Sequence, residues 1–168
     1  MNATLAEWNA RGEMEAREAM LACCGSQRWA AAMVRLRPVA SAKDLYAAAD
    51  REWSRMNEPD WIEAFSCHPR IGERKAQASS QWATWSREEQ SSTSKAADGT
   101  LAELAEGNSL YEQRFGFTYI VCATGKSAEE MLNILRRRLD SNREEELREA
   151  AEQQRQILQL RLRKWMNT

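Results

Sequence analysis

A chain of 168 residues fits one domain, residues 1–168, long enough to bury roughly two thirds of the surface its unfolded form exposes. Its 24 Lys and Arg nearly balance 25 Asp and Glu and alternate in sign along the chain, which argues against binding to nucleic acid or to an anionic membrane. No window approaches the roughly 18 consecutive apolar residues of a membrane span, and seven Gly and three Pro among abundant Ala, Glu, Arg, Gln and Leu point to an all-α fold.

The start MNATLAEWNARGE lacks a basic segment followed by an apolar one, so export is not expected. The end, Trp165-Met166-Asn167-Thr168, is not a Ser-Lys-Leu address, and a cytoplasmic protein is expected. Of four cysteines, Cys23 and Cys24 are adjacent and Cys67 and Cys122 isolated; this gives neither a disulfide framework nor a zinc pattern, and reduced thiols without a metal are expected.

Helix starts are read from Ser or Thr followed three residues later by an acidic side chain, because the pair satisfies orphan backbone N–H groups of the first turn. In chain order, Thr4 with Glu7, Ser41 with Asp44, Thr100 with Glu103, and Ser127 with Glu130 each precede helically spaced apolar residues. Pro59 suits a first helical position and opens a helix through Trp61, Ile62 and Phe65 that stops before Pro69, leaving His68 in a loop. Gly72 to Thr84 is polar and aperiodic, and reads as a loop or weak helix able to cover a site. Thr100 to Arg114 reads as a helix bent or interrupted near Gly107 and Asn108 and ended by Gly116.

Phe117 to Ala123 (FTYIVCA) has strand-like content but no second strand to pair with. It is expected as an extended buried segment whose backbone groups find partners elsewhere, a ligand being one possibility. Asn142 to Trp165 is a long amphipathic helix with the stripe Leu147, Ala151, Leu158, Leu162, Trp165.

His68 is the only histidine, placed between a helix and Pro69-Arg70-Ile71-Gly72. A lone histidine is more often structural than catalytic, yet the rigid Pro69 and flexible Gly72 would fix the side chain, and imidazole exchanges protons near neutral pH. Ser86 and Glu89 repeat the capping-box spacing. They are read as a helix N-cap worth about 1 kcal/mol, a reading compatible with a ligand seated on the free N–H groups of that terminus. Arg161 falls within about sixty degrees of the last helix's apolar stripe; it either snorkels to water along the stripe edge or clamps a carboxylate. Phosphate loops, nucleophile elbows and paired histidine ligands are absent from the sequence.

Four segments taken together resemble the 2-oxo-4-hydroxy-4-carboxy-5-ureidoimidazoline (OHCU) decarboxylase family. They are Cys67-His68-Pro69 with Ile71-Gly72; Ser86-x-x-Glu89-Gln90; Tyr111-x-x-x-Phe115-Gly116-Phe117 leading to Ile120-Val121-Cys122-Ala123; and Leu160-Arg161-Leu162. The resemblance implies an all-α fold, commonly dimeric, without metal or organic cofactor, acting in urate breakdown on a small-molecule substrate. It implies that His68 is catalytic, with Glu89 able to exchange a proton beside it. Pro69, Ser86, Arg87, Glu88, Glu89 and Gln90 would contact substrate, Tyr119, Ile120, Val121, Cys122 and Ala123 would line the pocket with backbone, and Arg161 would bind substrate. The chain departs from the family at Thr118, often proline there, and at Ser91-Ser92-Thr93, more usually a run of Ala and Gly. Two other readings stay open on the residues alone: a helical interaction module without activity, and a diverged decarboxylase for another ureido or imidazoline acid.

Overall fold

The computed structural model describes residues 2–73 and 81–168, and every regular element among them is helical. In chain order these are α1 (Ala3–Ala10), α2 (Glu13–Cys23), α3 (Gln27–Arg35), α4 (Ala42–Ser54), α5 (Glu58–Ser66), α6 (Gln81–Glu89), a 3-10 turn (Ser91–Lys95), α7 (Asp98–Phe115), α8 (Ala128–Arg138) and α9 (Arg143–Met166). None of them is long and apolar enough to cross a membrane.

Two of the expected caps form. Ser41 Oγ accepts from Asp44 N–H at 3.1 Å, and Ser127 with Glu130 makes a full capping box at the start of α8. The other two starts are corrected. Asn2, not Thr4, caps α1, its Oδ1 accepting from Leu5 N–H at 3.2 Å. α7 begins at Asp98, before Thr100, and carries that carboxylate in its first turn, where the helix dipole favours it. α5 is opened by Asn57 and Asp60, whose side chains each accept from the other's backbone N–H.

The chain divides into two compact units, Met1–Ala64 with Arg155–Thr168, and Phe65–Gln154. In the first, Trp8 meets Trp165 edge to face at 6.0 Å between ring centroids, and donates from its indole to Ala16 O at 2.9 Å. Trp29 does the same to Ala49 O at 3.2 Å. These two buried tryptophans thus keep their one donor satisfied while contributing large apolar area. Leu5, Met20, Met33, Leu45, Leu158 and Leu162 complete this core, all fully buried. Asn2 Nδ2 donates to Met166 O at 2.9 Å, tying the first helix to the end of the last. Arg161 lies in the same unit at 0% exposure. The stripe-edge reading, with the guanidinium reaching water, is therefore overturned: the side chain points into the core, where its charge opposes the upward push that burial gives the Cys23 thiol.

In the second unit α7 and α8 pack closely, and the expected bend at Gly107 and Asn108 does not occur: α7 runs unbroken to Gly116. Both residues serve packing. A Cβ at Gly107 would sit 2.6 Å from Leu135 Cδ2, so any larger residue there would force the Leu135 side chain to shift. Asn108, buried, donates from Nδ2 to Ile71 O at 3.1 Å. Phe65, Tyr111, Phe115, Phe117 and Tyr119 form an aromatic cluster with centroid separations of 4.7–6.2 Å, each such pair adding about 0.5–1.5 kcal/mol beyond its buried area.

Candidate functional site

Most of the candidate residues fall in the second unit. α5 ends at Ser66, Pro69 forbids its continuation, and His68 N–H closes the last turn onto Phe65 O at 3.1 Å. The loop that follows is pinned residue by residue. Arg70 makes a two-pronged ion pair with Glu112, at 2.8 Å from Nε and 2.5 Å from Nη2. The carbonyl of Ile71 is taken by Asn108. Gly72 turns at φ +86°, open to glycine and strained for other residues, and its N–H donates to Gln90 Oε1 at 3.1 Å. His68 itself is half-buried, and its Nε2 lies 2.7 Å from Oε1 of Gln154, a fully buried side chain on α9.

α6 corrects the reading of Ser86 as an N-cap. Residues Gln81–Thr84, expected as loop or weak helix, are its first turn, while 74–80 lie outside the described residues. Ser86 is in the second half of the helix, 4% exposed, and its carbonyl accepts from Gln90 N–H at 3.2 Å. The physical reason is that Gln81 to Trp85 already forms a helical turn, with Trp85 and Ser86 both facing inward. A helix start at Ser86 would have offered unpaired N–H groups to a ligand; a helix interior does not. Glu89 is the last residue of α6 and half-buried, and Arg87 and Glu88 face solvent. The Ser91–Lys95 turn uses its hydroxyls: Ser92 donates to Lys126 O at 2.7 Å and Thr93 to Gln90 O at 2.8 Å.

From Phe117 to Ala123 the chain forms neither helix nor strand, and side chains meet part of its backbone. Ile120 O accepts from Arg138 Nη1 at 2.6 Å. Cys122 N–H donates to Gln153 Oε1 at 2.9 Å, and Cys122 O accepts from Lys126 Nζ at 2.8 Å. Pro69 lies elsewhere, half-buried in the loop after α5, while Tyr119, Ile120, Val121, Cys122 and Ala123 are all at most 5% exposed. Burial pushes the Cys122 thiol up; the Lys126 charge and a hydrogen bond from the Thr124 backbone pull it down, and the Glu89 charge pushes it up, which brings α6's last carboxylate within electrostatic reach of the segment.

Arg138 is the anchor beneath. It is 5% exposed and reaches Glu146, itself 1% exposed, at 2.6 Å through Nε, while its guanidinium lies 4.9 Å from the Tyr119 ring centroid. The Tyr111 hydroxyl donates to the same carboxylate at 2.5 Å. Burial drives the phenols of Tyr111 and Tyr119 well above the usual value of about 10, with Arg138 opposing and Glu146 adding to the rise. Because the folded-state values are raised, the stability these phenols contribute is complete below pH ~10 and is lost as pH climbs from there towards the folded values. In an alkaline titration, no more than one of the three tyrosines should show tyrosinate absorbance before the helical circular-dichroism signal falls. Ionisation of two in a still-helical protein would contradict the burial argument.

A cleft of about 550 Å³ also borders the extended segment, lined by Val121, Lys126, Arg137, Glu149 and Gln153 among others, and by neither His68 nor Glu89. Among the described residues no group of three or more His, Cys, Asp or Glu is arranged to hold a metal. Arg161 belongs to the first unit. Sequence reasoning missed Gln154 and Arg138, both buried, and the half-buried Gln153. Gln154 had a signal, since it falls on the α9 stripe seven residues after Leu147.

The described residues thus define an all-helical protein that holds one imidazole in a pinned loop and clamps a buried extended segment with polar side chains. The chain matches the OHCU decarboxylase family over residues 9–163. It is 40% identical over 144 residues to the uric acid degradation bifunctional protein TTL of Arabidopsis thaliana, covering 84% of this chain and 44% of that protein's length. It is 30% identical over 134 residues to the 2-oxo-4-hydroxy-4-carboxy-5-ureidoimidazoline decarboxylase of Amia calva, covering 79% of this chain and 77% of that protein. Among solved structures it resembles an OHCU decarboxylase crystallised in the presence of (S)-allantoin, with a TM-score of 0.77 and 33% identity over 88% of this chain and 96% of that one. The chain belongs to the OHCU decarboxylase family.

Proposed function

We propose that this protein is a carboxy-lyase of urate catabolism that decarboxylates OHCU to (S)-allantoin without a cofactor. The observation that carries the reading is the family match over residues 9–163, a span that contains His68, Glu89, the 119–123 segment and Arg161. The match runs through both compact units, which supports treating 1–168 as one OHCU decarboxylase-like domain.

The substrate's chemistry makes a cofactor unnecessary. Its carboxylate sits on a carbon next to an imine, so when the bond to the carboxylate breaks, the electron pair moves towards the C=N and CO2 departs. A proton added to the ring then completes the product, and no pyridoxal or thiamine electron sink is called for. The protein's part is to orient, to place charge and to deliver that proton from one side. His68 is our choice for the donor, because its loop is pinned by Arg70, Ile71 and Gly72 contacts and imidazole exchanges protons near neutral pH. Glu89 would orient the ureido or hydroxyl group and exchange a proton with it. Pro69, Gln90 and the backbone of 119–123 would shape the binding surface, with Arg161 taking a carboxylate on the strength of the family resemblance. Arg87 and Glu88 face solvent, and Ser86 would act through its buried hydroxyl rather than a helix terminus. We further propose a homodimer, as the resemblance implies, in the cytoplasm, a setting supported by the four free thiols.

The test is to generate OHCU in situ from urate with a urate oxidase and a hydroxyisourate hydrolase, and to follow optical activity with and without the protein. Rapid growth of a single enantiomer of allantoin is the expected result. A signal that grows no faster than in the protein-free control would end the decarboxylase reading and favour the interaction module.

A further inference from the structure

The amide of Gln154 is used at one end only. Its side chain is fully buried on α9; Oε1 sits 2.7 Å from His68 Nε2, while Nε2 is buried without a hydrogen-bond partner among the described residues. A primary amide carries two N–H donors beside its acceptor. Donors left unmet in a protein interior are rare and call for a specific reason. This one belongs to the very group that touches the imidazole, so whatever oxygen meets it is held beside His68. The carbonyl and carboxylate oxygens of a ureido-imidazoline acid are acceptors of the kind it lacks.

We propose that Gln154 is a two-ended residue of the site: its Oε1 accepts from His68 Nε2–H and sets the ring's tautomer, and its Nε2 donates to an oxygen of the bound substrate. The inference rests on the decarboxylase reading and deepens it. With the Nε2 proton committed to Gln154, the lone pair of the neutral ring is at Nδ1, and the proton exchanged with the reacting carbon passes through Nδ1. A neutral amide takes no proton itself, so towards His68 it is a positioning residue, and towards the ligand a specificity-determining one that favours molecules carrying the matching oxygen.

Because His68 is the only histidine, 15N-histidine labelling reads its ring without overlap. The wild-type spectrum should show the Nε2-protonated tautomer with a downfield Nε2 proton protected from exchange. Gln154→Leu should lose that protection and lower kcat/KM by on the order of 10- to 100-fold. Gln154→Glu keeps an acceptor and discards the donor; it should retain the protected proton while raising KM and weakening (S)-allantoin binding measured by calorimetry. A wild-type ring protonated at Nδ1, or a Gln154→Leu variant with unchanged kcat, KM and allantoin affinity, overturns the inference while leaving the decarboxylase reading intact. A folded wild-type protein that neither turns over OHCU nor binds allantoin overturns that reading and the inference with it.

Discussion

His68→Ala should lower kcat/KM for OHCU on the order of 10²- to 10⁴-fold, the range over which a positioned general acid or base acts. The loss is expected in kcat more than in KM, because a proton delivered to the reacting carbon matters only once CO2 is leaving. The replacement also has a structural side. Gln154 Oε1 loses its partner inside the second unit, and a buried polar group without one costs about 1–3 kcal/mol. At ~2–4 °C per kcal/mol for a chain of this size, the melting temperature should fall by several degrees. His68→Asn separates the two effects, since an amide at position 68 can still meet Gln154 but cannot exchange a proton near neutral pH. It should recover part of the stability and none of the rate. Equal rates from wild type and both variants, measured as enantiomeric allantoin by circular dichroism, would remove His68 from the chemistry and leave it as a structural residue.

The largest stability effect is expected at Arg138. Changing it to methionine leaves the Glu146 carboxylate, 1% exposed, in the core with its cationic partner gone, and strips the Ile120 carbonyl of its donor. Breaking a buried pair by removing one member costs about 3–5 kcal/mol, because the remaining charge is uncompensated in a medium of low polarity. The expected fall in melting temperature is roughly 6–20 °C. Arg138→Met with Glu146→Leu removes both charges and should regain most of the loss, since the single replacement is damaging through the orphan it creates. Activity should not return with stability in the double variant, because the Ile120 carbonyl still lacks its donor and the segment is then held by side chains at Cys122 alone. A single variant that melts within a degree or two of wild type would show that the pair contributes little.

How legible the protein was in its sequence depended on whether a feature arises within one turn of chain or across several elements. The caps at Ser41 and Ser127, the stop before Pro69 and the end of α7 at Gly116 are local: a side chain, a fixed φ or a missing Cβ acts on its immediate neighbours. They were read correctly. Ser86 with Glu89 had the same local pattern, yet the helix starts at Gln81, because a capping spacing inside a helix looks no different from one at its start. Gly107 was misread for a related reason. Its helix-breaking tendency of about 1 kcal/mol is a local property, whereas the close contact with Leu135 that its missing side chain allows is invisible from either segment alone.

The candidate site shows the same division. His68 and Glu89 stood out by residue type and by order along the chain, as did the need of Phe117 to Ala123 for backbone partners from elsewhere. Which side chains answer that need was decided by tertiary structure: Arg138 and Lys126 from around α8, Gln153 from α9. Arg161 makes the point most sharply. Its angle on the helical wheel fits a residue reaching for water as well as one facing inward, and only the packing of the first unit places it at 0% exposure. By itself the sequence determined the helical class, the helix ends marked by Ser41, Pro69, Gly116 and Ser127, the absence of a strand at Phe117 to Ala123 and the family, because composition, turn chemistry and hydrophobic spacing are properties of neighbouring residues. Tertiary structure alone decided which polar side chains are buried and what each one holds, because burial depends on surfaces contributed by residues distant in the chain.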